Sequence, residues 1–159
     1  MTMKSKIFLL SAVLVFAVTA AAAAETATLS GYKFKMTRTQ VKDLGDGVFE
    51  ITIPPSKGWP MILIYPPQLP AEPGTLQLTV RKIAPDGNIP KRLRLLPEPN
   101  GCGKVVQLAN SILKDDKPHP VKIELTRDKV KMAFFSIAAH EPEQPIIIRI
   151  SDIKVVNAE

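Results

Sequence analysis

Cysteine is nearly absent. Of 159 residues only Cys102 carries a thiol, so no intrachain disulfide can staple the fold. Histidine is almost as scarce, with His119 and His140 alone. Paired cysteines, clustered histidines and a His-Glu-x-x-His segment are all missing, which excludes the common zinc signatures. No Gly-x-Ser-x-Gly elbow occurs, and the 8 glycines never gather into a phosphate-cradling loop. Nucleophilic and general acid–base chemistry needs a base held beside a nucleophile or a substrate proton. His119, between Pro118 and Pro120, and His140, before Glu141, read instead as surface-loop histidines. The sequence therefore points to a non-catalytic protein. Aromatics are few: Trp59 is the single tryptophan, beside 2 tyrosines and 6 phenylalanines.

The N-terminus is rich in what the rest lacks. Lys4 and Lys6 precede an apolar, charge-free run, Ile7 to Val18, and then the alanines Ala20 to Ala24. A basic start, an apolar stretch and a small-residue cleavage pattern describe a secretory signal peptide spanning 1–24, with Glu25 as the new N-terminus. The rival reading, a signal anchor, needs a longer and more hydrophobic run than this alanine-rich one. The expected product is periplasmic or extracellular, without stable membrane insertion. It is a single domain, 25–159, of a size that buries a sufficient core without disulfides. An oxidising compartment would have permitted bridges. Cys102, in Asn100-Gly101-Cys102-Gly103, reads as a small buried residue.

The chain has 21 Lys+Arg against 15 Asp+Glu. Loss of Lys4 and Lys6 leaves 19 basic residues against 15 acidic ones, an excess of 4. That is too little for a nucleic-acid binder. The expected partner is a glycan or other envelope polymer, acidic ones included, or an envelope protein.

Proline is abundant, 15 against 8 glycines, and every proline follows the leader. Proline is excluded from helix interiors and central strands, so these positions mark element ends. The pieces between them alternate. Phe49, Ile51 and Ile53 face away from Glu50 and Thr52, and Leu76, Leu78 and Val80 face away from Gln77, Thr79 and Arg81. Leu93 and Leu95 alternate with Arg92 and Arg94, and Val121, Ile123 and Leu125 with Lys122 and Glu124. Period-two stripes describe strands with one side to a core. Met61–Tyr65 and Ile146–Ile150 are apolar on both faces and read as central strands covered on both sides. Asp46-Gly47 and Asp86-Gly87 are turn dipeptides of the kind that join strands. Lys104–Lys114 fits either a short helix, from Val105, Leu108, Ala109, Ile112 and Leu113, or a strand. The fold class expected is all-β: an antiparallel sandwich with at most one short helix.

Two constellations stand out. Trp59, in Lys57-Gly58-Trp59-Pro60, sits at the mouth of a strand beside a rigid proline, with Tyr65 at the strand's far end. A tryptophan so held offers a flat, low-entropy stacking surface, or else plugs the end of the core. If Leu76–Lys82 and Lys91–Leu95 pair as consecutive strands usually do, Gln77, Arg81, Arg92 and Arg94 gather on one face. Such a face would hydrogen-bond hydroxyls or fork onto carboxylates, or simply be solvated. Asp152 interrupts the closing run Ile146–Val156; the reading favoured is a bulge hydrogen-bonded to backbone, the other a ligand for calcium.

The order of these segments resembles the galactose-binding-like jelly rolls, the fold of many carbohydrate-binding modules. The strand Val48–Ile53 leads to Gly58-Trp59-Pro60 and Met61–Tyr65. Gly74-Thr75-Leu76-Gln77-Leu78-Thr79-Val80-Arg81 follows, and Ile148-Arg149-Ile150-Ser151-Asp152-Ile153-Lys154-Val155 closes the chain. The resemblance implies a jelly-roll sandwich and sugar binding through aromatic platforms on a sheet face or at loop tips. It also implies a structural calcium held by a carboxylate in the last strand, here Asp152. Outward aromatics are fewer here than in that family. An envelope structural or assembly protein, making contacts through a sheet edge or the loops of Pro54–Pro73, is the alternative.

Overall fold

The computed structural model describes residues 24–69, 74–89, 92–99, 102–109, 111–125 and 132–157, and alternation and proline punctuation divide these described residues into eleven strands. The expected leader lies outside these residues, apart from Ala24. The strands are β1 Glu25–Leu29, β2 Tyr32–Thr37, β3 Gln40–Gly45, β4 Val48–Ile53, β5 Met61–Tyr65, β6 Gly74–Ala84, β7 Leu93–Glu98, β8 Val106–Gln107, β9 His119–Glu124, β10 Phe134–Ala139 and β11 Ile146–Asn157. No α-helix occurs among the described residues.

Every ladder is antiparallel, in two sheets. A six-stranded sheet runs β1-β2-β5-β10-β7-β8, and a five-stranded sheet runs β3-β4-β11-β6-β9. Most connections cross from one sheet to the other, as in a jelly-roll sandwich. The hairpin β3–β4 turns at Asp46 and Gly47, whose φ angles of 53° and 72° suit a tight primed turn. Asp86-Gly87 does not make a hairpin. Both sides of β6 are taken, by β11 and by β9, so the chain after Ala84 passes to the other sheet, where β7 pairs with β10. This corrects the expected β6–β7 pairing.

The prolines obey hydrogen-bond accounting. Pro120 lies in the edge strand β9, and Pro97 lies in β7 beyond Arg94 and Leu95, the two positions that pair with β8. The open segment 104–114 proves to be neither alternative in full. After the two-residue β8 it makes one turn, in which the N–H groups of Ile112 and Leu113 both reach the Leu108 carbonyl. That turn buries Leu108 and Leu113 in the core. Cys102 is fully buried, and burial raises its thiol pKa.

Alternation fills the space between the sheets. Phe34, Ile62, Ile64, Leu93, Leu95, Phe135 and Ile137 come from the six-stranded sheet. Phe49, Ile51, Ile53, Leu76, Val80, Ile148 and Ile150 come from the other. Phe49 packs edge-on against Phe34 and Tyr32, with ring centroids 5.0 and 5.1 Å away. The Tyr32 hydroxyl donates to the Ile153 carbonyl at 3.2 Å, tying one sheet to the other. That carbonyl is presented by a bulge between Ser151 and Lys154, where Asp152 takes a φ of 53°. At the other end of β6, Lys82 is only 4% exposed, and its ammonium donates to the Gly87 carbonyl of the crossover.

Gly74 is required by close approach. A Cβ built there would lie 1.8 Å from the Val156 carbonyl oxygen, on the strand that pairs with it. Gly74→Ala should therefore destabilise the protein by pushing β6 from the end of β11. Phe49→Ala should cost about 3–5 kcal/mol through lost burial and a cavity. Denaturant titration checks both; an unchanged midpoint for either variant would contradict the packing described.

Candidate functional site

A strand that buries alternate side chains must show the others outward. The two outer faces of this sandwich differ in chemistry. On the five-stranded sheet the outward residues of β6 are Thr75, Gln77, Thr79 and Arg81. Their neighbours include Lys122, Lys154, Ser151 and Arg149. Arg149 in turn meets Glu50, Nε to Oε2, at 2.9 Å, and Arg81 donates its Nε to the Asp116 carbonyl at 2.7 Å. This face carries interleaved charges and hydroxyls, and no aromatic side chain among the residues just named.

The outer face of the six-stranded sheet is apolar at its centre. Direct cross-strand partners point the same way, so the register sets three rows. The first runs Thr37, Met61, Ala138, Arg94, Gln107. The second runs Lys35, Leu63, Ser136, Leu96. In the third, Lys33 faces Tyr65 and Phe134 faces Glu98, and the Tyr65 and Phe134 rings meet with centroids 4.7 Å apart. Outer rows one and three are about 13 Å apart along the strands, at ~3.3 Å per residue. Ser136 and Ala138 are small and buried, as is Leu96 beside Ser136, so β10 forms the low line of this face between longer side chains. Met61, Leu63 and Tyr65 keep partial exposure. The expectation that Met61–Tyr65 is covered on both sides is thus corrected: its outer side faces out of the sandwich.

Trp59 stands at the end of the first row. It is half-buried and does not belong to the core. The Arg94 guanidinium lies over its ring, 4.3 Å from the centroid, and the His140 ring is 4.8 Å away. Backbone bonds hold this arrangement. Glu141 N–H donates to the Gly58 carbonyl at 2.8 Å, Ala139 to Pro60 at 3.2 Å, and His140 to Arg92 at 3.0 Å. Arg38 braces the same loop by donating to the Lys57 carbonyl, and Gly58 adopts a φ of 72°. Behind the loop lies a depression lined by Pro55, Ser56, Lys57, Glu141, Pro142 and Glu143.

The expected residues are therefore divided. Trp59, Tyr65 and Arg94 share the outer face of the six-stranded sheet. Arg92, exposed, lies just before β7 at the Trp59 end. Gln77 and Arg81 lie on the opposite side of the sandwich, because β6 and β7 belong to different sheets. Phe134 and Lys33 went unnoticed in the sequence. Phe134 had a signal, since adjacent Phe134 and Phe135 in a strand cannot both face the core. The Lys33 ammonium lies 5.8 Å from the Tyr65 ring centroid, a pairing that only the β2–β5 register reveals.

Asp152 sits at a bulge, exposed, and takes side-chain partners in place of the backbone ones expected. Ser151 Oγ donates to its Oδ2 at 2.9 Å, and the Thr79 hydroxyl, first among the causes, holds its pKa below the ordinary carboxylate value. Among the described residues no group of three or more His, Cys, Asp or Glu side chains gathers to hold a metal. One carboxylate with two hydroxyl neighbours does not fit a calcium ion's demand for six to eight oxygens. His119 opens β9 with its Nε2 2.6 Å from Asp115 Oδ1. That hydrogen bond, followed by the Lys117 amide, lowers the Asp115 pKa. Asp43 is lowered in the same way, by Ser30 Oγ at 2.6 Å and then the Gly45 amide at 2.8 Å.

Carboxylates whose pKa is lowered by folding stabilise the native state above their unfolded pKa. That contribution disappears as pH falls through the lowered value. Stability should therefore decline below about pH 4. Denaturant midpoints at pH 6, 4 and 3 should fall less steeply for Asp115→Asn than for the parent chain; equal slopes would remove Asp115 from the account.

Comparison with solved structures reveals the same fold elsewhere. A single-site variant of CBM29-2, a family 29 carbohydrate-binding module, matches with a TM-score of 0.55 and 12% identity, over 85% of this chain and 89% of that one. Another CBM29-2 variant, complexed with mannohexaose, matches at 0.53 and 13%, over 82% and 84%. The agarase AgWH50C matches at 0.50 and 11%, over 79% of this chain but 24% of its own. No family model matches the chain, and neither does any curated protein. The chain thus shares the β-sandwich jelly roll of carbohydrate-binding modules, as its segment order leads one to expect.

Proposed function

We propose that this protein is an exported, non-catalytic carbohydrate-binding module. We place its ligand on the outer face of the six-stranded sheet. One observation carries the reading: that face stays apolar and aromatic where the opposite one is charged and solvated. Tyr65 and Phe134 make a paired aromatic patch in the third row, and Trp59 makes another at the end of the first. Sugar rings present apolar C–H faces and polar edges. Aromatic side chains take the first at low entropic cost, and charged or amide donors take the second. Two aromatic patches with the half-exposed Leu63 between them suit a linear chain of several rings better than one sugar. Arg94, held over Trp59, and Arg92 are the polar contacts at one end, and Lys33 and Glu98 at the other. The fold shared with carbohydrate modules supports the reading, and one of those modules is complexed with a hexasaccharide. Residues 1–24 support export.

Trp59→Ala and Tyr65→Ala should each weaken glycan binding about tenfold or more, with unchanged far-ultraviolet circular dichroism. Titration calorimetry against a panel of oligosaccharides measures this. Retained affinity in both variants would remove the face described from the reading.

A further inference from the structure

The outer face of the six-stranded sheet carries a charge bias that its aromatic chemistry does not require. Lys33 and Lys35 are exposed on β2, one beside Tyr65 and the other beside Leu63. Arg94 lies over Trp59, and Arg92 is exposed just before the same strand. Four cations thus border the apolar strip from both sides. Against them, Glu98 is the acid within the three rows, and Glu141 lies on the loop behind Trp59. Among the described residues no carboxylate comes within ion-pair distance of Lys33, Lys35, Arg92 or Arg94, whereas Arg149 on the other sheet is paired with Glu50. Unpaired cations around an apolar strip cost little in water, and they raise the local concentration of an anionic ligand. The guanidinium of Arg94 keeps donors in its own plane while its body rests on an aromatic ring, a geometry that suits a carboxylate fork.

We infer that the ligand of this face is an anionic polysaccharide, one whose rings carry carboxylates, such as a polyuronate. Its rings lie along Tyr65, Leu63 and Trp59, and its carboxylates meet Lys33 and Lys35 on one side and Arg92 and Arg94 on the other. The inference rests on the reading of this face as a glycan site and adds the ligand's charge. Aromatic stacking within a basic groove is also the chemistry of single-stranded nucleic acid binding. The small excess of positive charge and the leader favour the glycan.

The experiment is titration of the full chain, after any leader is removed, against polygalacturonate, alginate, neutral mannohexaose and oligo(dT). The polyuronates should bind at least tenfold more tightly than mannohexaose, and their binding should weaken as salt rises. Lys33→Gln with Lys35→Gln should weaken polyuronate binding about tenfold, the effect expected from lost charged hydrogen bonds. Removal of two charges from the opposite sheet, Lys42→Gln with Lys122→Gln, should leave it within twofold. Equal effects of the two double variants would overturn the inference by showing a response to net charge alone. Mannohexaose bound as tightly as the polyuronates would overturn it too, while leaving the glycan site standing. Oligo(dT) bound as tightly as the polyuronates would assign the face to nucleic acid instead. Binding of none of the four would remove the glycan reading and the inference together.

Discussion

The structure depends on one constraint: a pleated strand that turns one row of side chains to the core turns the other row to the opposite face. The sandwich is stable because alternate residues of both sheets meet in a dry apolar layer, with Phe49 wedged between Tyr32 and Phe34 at one end. Once Ile62, Ile64, Phe135, Ile137, Leu93 and Leu95 are committed to that layer, the outward positions of the same strands are also committed. Met61, Leu63, Tyr65, Phe134 and Arg94 then share an outer surface whether or not each favours water. The candidate site is thus the reverse side of the core. Its precision comes from the core's register, because a one-residue slip of any strand would exchange the two faces.

The loop that holds Trp59 shows how irregular structure borrows rigidity from regular structure. The Ala139 and Glu141 amides donate to the Pro60 and Gly58 carbonyls, so the loop is tied to the end of β10, and the His140 amide ties that end to Arg92. Arg94, from the next strand over, completes the arrangement from the sheet side. The tryptophan is neither a core plug nor a loose loop residue. It is a half-buried ring set at the edge of an apolar surface, where part of its area pays for its placement and part stays accessible. The five-stranded sheet has the opposite character. There Arg149, Glu50, Arg81 and the Asp115–His119 pair satisfy one another or nearby carbonyls.

The strands were legible because period-two alternation and proline spacing are local. Val48–Ile53, Leu76–Lys82 and the closing run are all strands, and Asp46-Gly47 is the turn of a hairpin. The candidate site was legible only in part. Trp59, Tyr65 and Arg94 have the right chemistry and the right face, but Gln77 and Arg81 were joined to Arg92 and Arg94 by assuming that consecutive strands pair. Asp86-Gly87 carries the same turn signal as Asp46-Gly47 and yet opens a crossover, because β9 and β11 already occupy both sides of β6. Which strands flank a given strand is settled by segments far away in the chain, and no local pattern reports it.

The sequence by itself determined the element type, the inward and outward stripe of most strands, and the independence of the fold from disulfides. Those properties follow from side-chain size, polarity and spacing within a few residues. Only the tertiary structure decided which outward stripes lie side by side. It brought Lys33 to Tyr65, Phe134 to Tyr65 and Arg94 to Trp59, and it sent Arg81 to the far side. The physical reason is that sheet neighbours are chosen by global competition for backbone hydrogen bonds and apolar burial. That competition includes every strand at once, and the surface chemistry of the site is its result.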